Sequence, residues 1–375
     1  MIVAGLQVSP AVAAPTVLVP SLLTASKYSV DVNYSLNPGA IAAIQTGLGS
    51  PWSLSQVMDI ANHDRAALTT CDSGIPRSDG STDTAKLAGT LGGFCFDSGD
   101  TTAHCATSTD TTPDVYPQGI TTTRDATGST YDGIQVVAVS WDRAQSCSNS
   151  NFRDMWVTFV DWDSTQPNKY VKVLLVLPTS ASEQYDLLSG KSGGLAWYGN
   201  YLYVADSHFP ASPGGQAVHV FDMRDIFRIT SAGSAVGRRS DGSYQAENFG
   251  FIMPEVGRLT NHSGSTLATF STMAVDNSTS APGLVTGQFN SANSTAAVRF
   301  DLSTTTKTLI TAGNVAVASQ AVSVPYKNVN GVLSHNGDWW FAADVNQPSN
   351  DCNLYFWHPG SSSASGHTWL QIVRA

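Results

Sequence analysis

Four segments of this chain repeat one order of events: a strand start, a tight turn, an apolar strand that ends in polar residues, a connection, and another apolar strand closing on an acidic turn. They read "GITTTRDATGSTYDGIQVVAVSWDR" with "DMWVTFVDWDS", "GGLAWYGNYLYVADSHF" with "QAVHVFDMRD", "STMAVDNSTSAPGLVTGQFN" with "TAAVRFDLST", and "GVLSHNGDWWFAADVN" with "CNLYFWHPGS". Their starts, Gly119, Gly194, Thr272 and Gly331, lie 75, 78 and 59 residues apart. Glycine, asparagine and aspartate at the turns, as in Gly199-Asn200 and Asn336-Gly337, supply the positive φ that tight hairpins need. Downstream of residue 113 helical periodicity is confined to short pieces such as "DMRDIF" at Asp222–Phe227.

Small antiparallel sheets cannot each bury two faces alone, and stacking them radially solves that problem. The expectation is therefore an all-β β-propeller over residues 113–375, with four recognisable blades and five or six in the intact ring. A large β-sandwich accounts for the short strands but not for the repeated order. Residues 15–112 do not fit the repeat and are read as an N-terminal extension that contributes a closing strand. Within it "NPGAIAAIQTGL" and "SPWSLSQVMDIANHDRAAL" have helical spacing, the second with Ser53 as N-cap.

Residues 1–14 carry an apolar run and an Ala-Val-Ala stretch like a signal-peptide cleavage site, without the preceding basic residues. Secretion into the extracellular space as a monomer is expected, with no membrane span. A net charge of −10 with 19 scattered Lys and Arg argues against a nucleic-acid partner. Cys71, Cys95, Cys105, Cys147 and Cys352 lack metal spacing, so one or two disulfides are expected, with a staple in the extension. Asn33, Asn261, Asn277 and Asn293 head glycosylation sequons.

The stretches "YPQGITTT" at Tyr116, "GGLAWYGNYLYVADS" followed by "VHVFDMRDIF", and "FGFIMPEVGRLT" at Phe249 resemble a family of uncharacterised secreted β-propeller proteins of filamentous actinobacteria and fungi. The resemblance covers roughly residues 113–360 and implies fold and secretion. It carries no catalytic residues across.

Aligning the four units superposes Ser140, Asp206, Gln288 and Asp344 at the second-strand exits, and Asp142, His208, Asn290 and Asn346 two residues on. In a propeller these would converge on one face, joined there by Lys191, Arg258 and His262. Such a set could bind an extracellular polysaccharide or glycan, hold a Ca²⁺ through oxygen ligands, or supply an acid and a base. Asp206, His208, Asp142 and Asp344 are the candidate catalytic residues, with a glycosidase-like carboxylate pair among them. Trp141, Phe209, Gln288, Asn346 and Arg258 are the candidate ligand-binding residues.

Against this stands ordinary turn chemistry, because Asp and Asn end strands by bonding the local backbone. That reading is preferred to a functional ring, and an Arg258–Glu255 surface salt bridge is preferred to substrate binding by Arg258. Tryptophans 141, 197, 339, 340 and 357 are core by default, but Trp141 and Phe209, at strand exits, are expected on the open face as stacking platforms. The "GKSGG" at Gly190 matches G-x-S-x-G, yet Ser192 precedes a strand where a nucleophile elbow needs one before it. Carbohydrate-directed binding or hydrolysis is the leading expectation. A calcium-dependent ester or lactone hydrolase and a non-catalytic interaction module are the alternatives.

Overall fold

The structure, a computed structural model, describes residues 18–64, 66–67, 75–76, 82–83, 94–96, 115–144, 152–162, 169–180, 182, 184–207, 216–267, 269–289, 295–344 and 352–367. It is all-β, and its strands fall into successive antiparallel meanders. The first holds β1 (Val115–Thr122), β2 (Val136–Ala144), β3 (Phe152–Asp161) and β4 (Lys169–Pro178). The second holds β5 (Ser192–Tyr198), β6 (Tyr201–Asp206), β7 (Ala217–Asp222) and β8 (Phe251–Asn261). In the third are β9 (Thr272–Asp276), β10 (Gly283–Gly287), β11 (Thr295–Asp301) and β12 (Gln320–Val324). The fourth is formed by β13 (Lys327–His335), β14 (Asp338–Asp344), β15 (Cys352–Trp357) and β16 (Ser365–His367).

The first strands of the meanders lie side by side, β1 against β5, β5 against β9 and β9 against β13. Glycine permits that approach. A Cβ on Gly119 would stand 2.3 Å from the Leu195 amide nitrogen, and one on Gly194 2.3 Å from that of Met273. The glycine of the "GG" pair that opens β5 is thus explained by a neighbouring backbone. The outer strands also join: β4 and β8 pair in parallel, Leu174 opposite Ile252. A path of eight strands therefore runs from β5 through β8 and β4 to β1, and since β1 packs on β5 it nearly closes into a barrel-like sheet.

Period-2 alternation sends each sheet's two faces into different cores. Leu195, Trp197, Leu202, Val204 and Phe221 of the second meander meet Ala138, Val157, Phe159 and Val173 of the first. Its other face, with Ala196, Tyr203, Val218 and Leu259, meets Met273, Leu284 and Val298 of the third. Between third and fourth lie Val285, Val322, Trp339 and Phe341.

The segment before the meanders packs on their outer edges. Ser29–Asn33 pairs with β8 and with Val315–Val317, and Ser21–Leu22 pairs with β12. Helices run over Pro38–Leu48 and Leu54–Asp59, the second capped by Ser53 and Gln56 in a capping box. The expected helical piece at Asp222–Phe227 is instead a turn in which the Asp225 amide donates to Asp222 and Phe227 starts a strand. Its apolar residues Met223, Ile226 and Phe227 are spaced by their burial in two different cores. Cys71, Cys105 and Cys147 lie outside the described residues, and of Cys95 and Cys352 only the backbone is described, so the expected disulfides fall outside them too.

Candidate functional site

The core between the first and second meanders is apolar along most of its length and becomes polar at one end. On β2, Asp142 shares its face with Ala138 and Ser140; on β6, Asp206 shares its face with Leu202 and Val204. Both carboxylates therefore enter the same interlayer, and both are fully buried. Ser192, which opens β5, links them. Its hydroxyl lies 3.5 Å from Asp142 Oδ2, and its backbone pairs with Asp206. The Lys191 amide donates to Asp206 Oδ1 at 3.1 Å. Gly190 is bare because a Cβ there would stand 2.8 Å from Asp206 Oδ2, which gives "GKSGG" a packing role at this carboxylate.

Burial pushes the Asp142 carboxyl up to about 7, against the lowering pull of Lys191 and Ser192. Its Oδ1 has no hydrogen-bond partner among the described residues. From Asp206 a line of charges leads outward. His219 Nε2 is 3.7 Å from Asp206 Oδ2, and His219 Nδ1 donates to Glu255 Oε1 at 2.6 Å. Arg258 then clamps Glu255 with two bonds, Nε at 2.8 Å and Nη2 at 2.7 Å. Burial opposes a charged His219, but the two carboxylates outweigh it and raise its pKa. Burial likewise opposes the Glu255 carboxylate, which His219 and Arg258 hold below the usual range.

Residues three apart in a regular strand face opposite ways, yet Glu255 and Arg258 share a face. A bulge makes this possible: His219 pairs with Arg258 and Val220 with Gly257, but Phe221 pairs with Glu255, leaving Val256 as the extra residue. Gly257 occupies the bulge where a side chain would strike the Asn33 carbonyl at 2.4 Å.

Arg258 opens into a groove of about 650 Å³ at the outer edge of the second meander. The register builds its wall. Arg258 stands opposite Asn33 and Thr260 opposite Asp31, so these four polar side chains share one face while Val30, Val32 and Leu259 fill the core behind. Thr308, Leu309, Thr311 and Asn314 form the other side. Tyr34 ties the two together, its hydroxyl accepting from the Leu309 amide at 3.0 Å and lying 3.0 Å from the Tyr203 hydroxyl. At the margin His262 Nδ1 is 2.7 Å from Asp31 Oδ1. Because Thr260 pairs with Ala217 and Val218 with Ala205, the groove sits at the same end of the second meander as Asp206.

Asp142, Asp206 and Arg258, three of the residues expected from sequence, are thus gathered at one end of the first and second meanders. Trp141 requires a correction. It is 3% exposed, on the opposite face of β2 from Asp142, stacked on Trp156 and edge-on to Phe96, so it offers no open platform. Strand alternation places it there. Gln288 continues the β10 ladder, its side-chain oxygen accepting from the Ala296 amide at 3.1 Å. Asp344 ends β14 opposite Lys327 and Cys352, with only its backbone described. His208, Phe209, Asn290 and Asn346 lie outside the described residues. Arg258 pairs with Glu255 as expected, but Glu255 is fully buried, so the pair is no surface salt bridge.

Sequence reasoning missed His219 and the groove residues Asp31 and Asn33. A single histidine inside the otherwise apolar strand "AVHVFD" was the available signal for the first. Among the described residues no group of three or more His, Cys, Asp and Glu is placed to hold a metal ion, and no helix is long and apolar enough to cross a membrane. The chain matches no family model and no curated protein sequence.

Proposed function

We propose that the four meanders are blades of a β-propeller and that the protein is a secreted, carbohydrate-directed protein whose ligand lies in the groove beside Arg258. The adjacency of the four first strands supports the propeller reading. The observation that carries the functional reading is the groove's composition. Its strand-built wall presents Asp31, Asn33, Arg258 and Thr260 on one face, donors and acceptors alternating at the spacing of a β-ladder. Hydroxyl-rich ligands both donate and accept, and a volume of about 650 Å³ suits a short oligosaccharide. Arg258 is preorganised: its Nε and Nη2 are fixed on Glu255, leaving the Nη1 edge for the groove.

Calorimetric titration of the full chain with a panel of neutral and acidic oligosaccharides tests this reading. Asn33 heads a sequon and lines the groove, so the protein for this test is made in a host without N-glycosylation. Thr311 is exposed on the far wall, and Thr311→Trp fills the groove without disturbing a core. Saturable binding that this variant abolishes while the thermal midpoint stays unchanged is expected. Binding by no member of the panel, or binding indifferent to Thr311→Trp, would overturn it.

A second, hydrolytic reading has its own observation. Asp142 is a carboxyl kept protonated to about pH 7, with an unpartnered oxygen, beside a second carboxylate, Asp206. A carboxyl that stays protonated near neutral pH is what the general acid in hydrolysis of a glycosidic bond requires. Reducing-sugar release by the wild type that Asp142→Asn eliminates would support it, and absence of release by the wild type would remove it.

A further inference from the structure

Arg258 is the outer end of a buried line of charges. With His219 protonated, the order from the groove inward is Arg258 cation, Glu255 anion, His219 cation, Asp206 anion. The signs alternate, the line is neutral overall, and its positive end faces the groove. Glu255 is then shared between two cations, Arg258 on one side and His219 on the other, so the guanidinium keeps part of its charge for a ligand. With His219 neutral, Nδ1 still donates to Glu255, but the carboxylate belongs to Arg258 alone and the line carries a net negative charge.

Resting on the carbohydrate-binding reading of the groove, we infer that His219 sets the groove's choice between acidic and neutral sugars. Protonated, it favours a carboxylate-bearing oligosaccharide such as a uronate; neutral, it removes that preference. His219 acts as a positioning residue, because Arg258 and not the imidazole meets the ligand. Its charge cannot be satisfied by solvent, since His219, Glu255 and Asp206 are all fully buried. That places the effect along the two hydrogen-bonded contacts to the groove rather than in bulk screening.

Among the described residues, the ionisable groups near this line come from the first two meanders and from the segment before them. Asp206 and Glu255 face the imidazole directly, from β6 and β8. Asp142, from the first meander, and Lys191, before β5, interact with the far end of the line at Asp206 or with each other. Loss of the Asp142 proton acts in the same direction as loss of the His219 proton, but from further away. In the groove itself Asp31 is paired with His262, which lies on the groove margin and not on the buried line.

The test is calorimetric titration of the full chain with a galacturonate trimer and the matching galactose trimer, at about pH 5.5 and about pH 9, on either side of an ordinary histidine. The wild type should prefer the acidic trimer at the lower pH, with that preference falling on the order of tenfold at the higher pH, the scale for a unit charge at this remove. His219→Gln keeps a donor toward Glu255 without a charge and should give a preference that does not change with pH. His262→Gln and Asp142→Asn should both retain the change. A change in His219→Gln equal to that of the wild type would overturn the inference. Should circular dichroism show that His219→Gln does not fold, Asp206→Asn supplies the test. Removing one carboxylate beside the imidazole must move the midpoint of the change to lower pH, and an unmoved midpoint overturns the inference. Binding of both trimers with a pH-independent ratio refutes this inference alone, whereas binding of neither refutes the carbohydrate reading beneath it.

Discussion

Asp142 is predicted to make the protein less stable as pH rises, and replacing it with asparagine should remove that loss. An unfolded aspartate gives up its proton near 3.8, whereas burial holds the folded carboxyl protonated to about 7. Between those values the unfolded state ionises and the folded state does not, so stability falls through that window and the loss is complete above it. The difference between 3.8 and about 7 corresponds to about 4 kcal/mol at 1.36 kcal/mol per tenfold in proton activity. Asparagine has the same shape and no proton to lose. Its amide introduces a constant cost at Oδ1, which has no partner among the described residues, and that cost is the same at every pH. His219 acts in the same direction but in a higher window: its raised pKa adds stability that is present below its ordinary value near 6.5 and is lost as pH rises through the folded value. It is common to both proteins and cancels in the comparison. Urea denaturation of wild type and Asp142→Asn at about pH 4 and about pH 8 measures the effect. The variant should gain on the wild type by about 4 kcal/mol between the two conditions. Parallel pH dependences would refute the claim that Asp142 is buried as a neutral acid.

Two further substitutions probe how the sheets meet. Gly194→Ala places a methyl 2.3 Å from the Met273 backbone nitrogen, which cannot rotate away, and a loss of about 3 kcal/mol is expected in urea denaturation; a change near zero would mean that β5 and β9 do not approach so closely. Arg258→Ala leaves the fully buried Glu255 with His219 as its one remaining cationic neighbour on this line, so a loss of about 3–5 kcal/mol is expected, reduced when Glu255→Gln is added. Additive losses in that double variant would show that the two side chains are not a coupled pair.

How much of this was legible in the sequence depends on whether a feature obeys strand alternation. The four meanders were readable because each unit repeats the same turn and the same burial rhythm, and the turn at Asn336-Gly337, both at positive φ, is the kind that asparagine and glycine announce. Asp142 and Asp206 could be brought together from sequence because each sits at the exit of a second strand, in phase with the residues facing the first-second interlayer. The same rule, applied to Trp141, should have placed it on the opposite face from Asp142, where it is found.

His219 was hidden for a different reason. It lies within a strand whose six residues are all buried, and hydrophobic patterning has no way to mark a buried polar residue whose partners come from other strands. Glu255 and Arg258 look incompatible at a spacing of three, and the bulge that reconciles them shows in the sequence only as Gly257. The groove wall was less accessible still. It pairs Asp31 and Asn33 with residues more than two hundred positions later, across a segment read as an extension to the repeats. Local signals say that Ser29–Asn33 is strand-like; which edge it joins is decided by Val30 and Val32, which complete the core between the second and third meanders. Once those two valines are fixed inward, alternation leaves Asp31 and Asn33 facing outward beside Thr260 and Arg258. The polar groove is thus a consequence of how the apolar face of the same strand is buried, and a one-residue slip of that strand would destroy both at once.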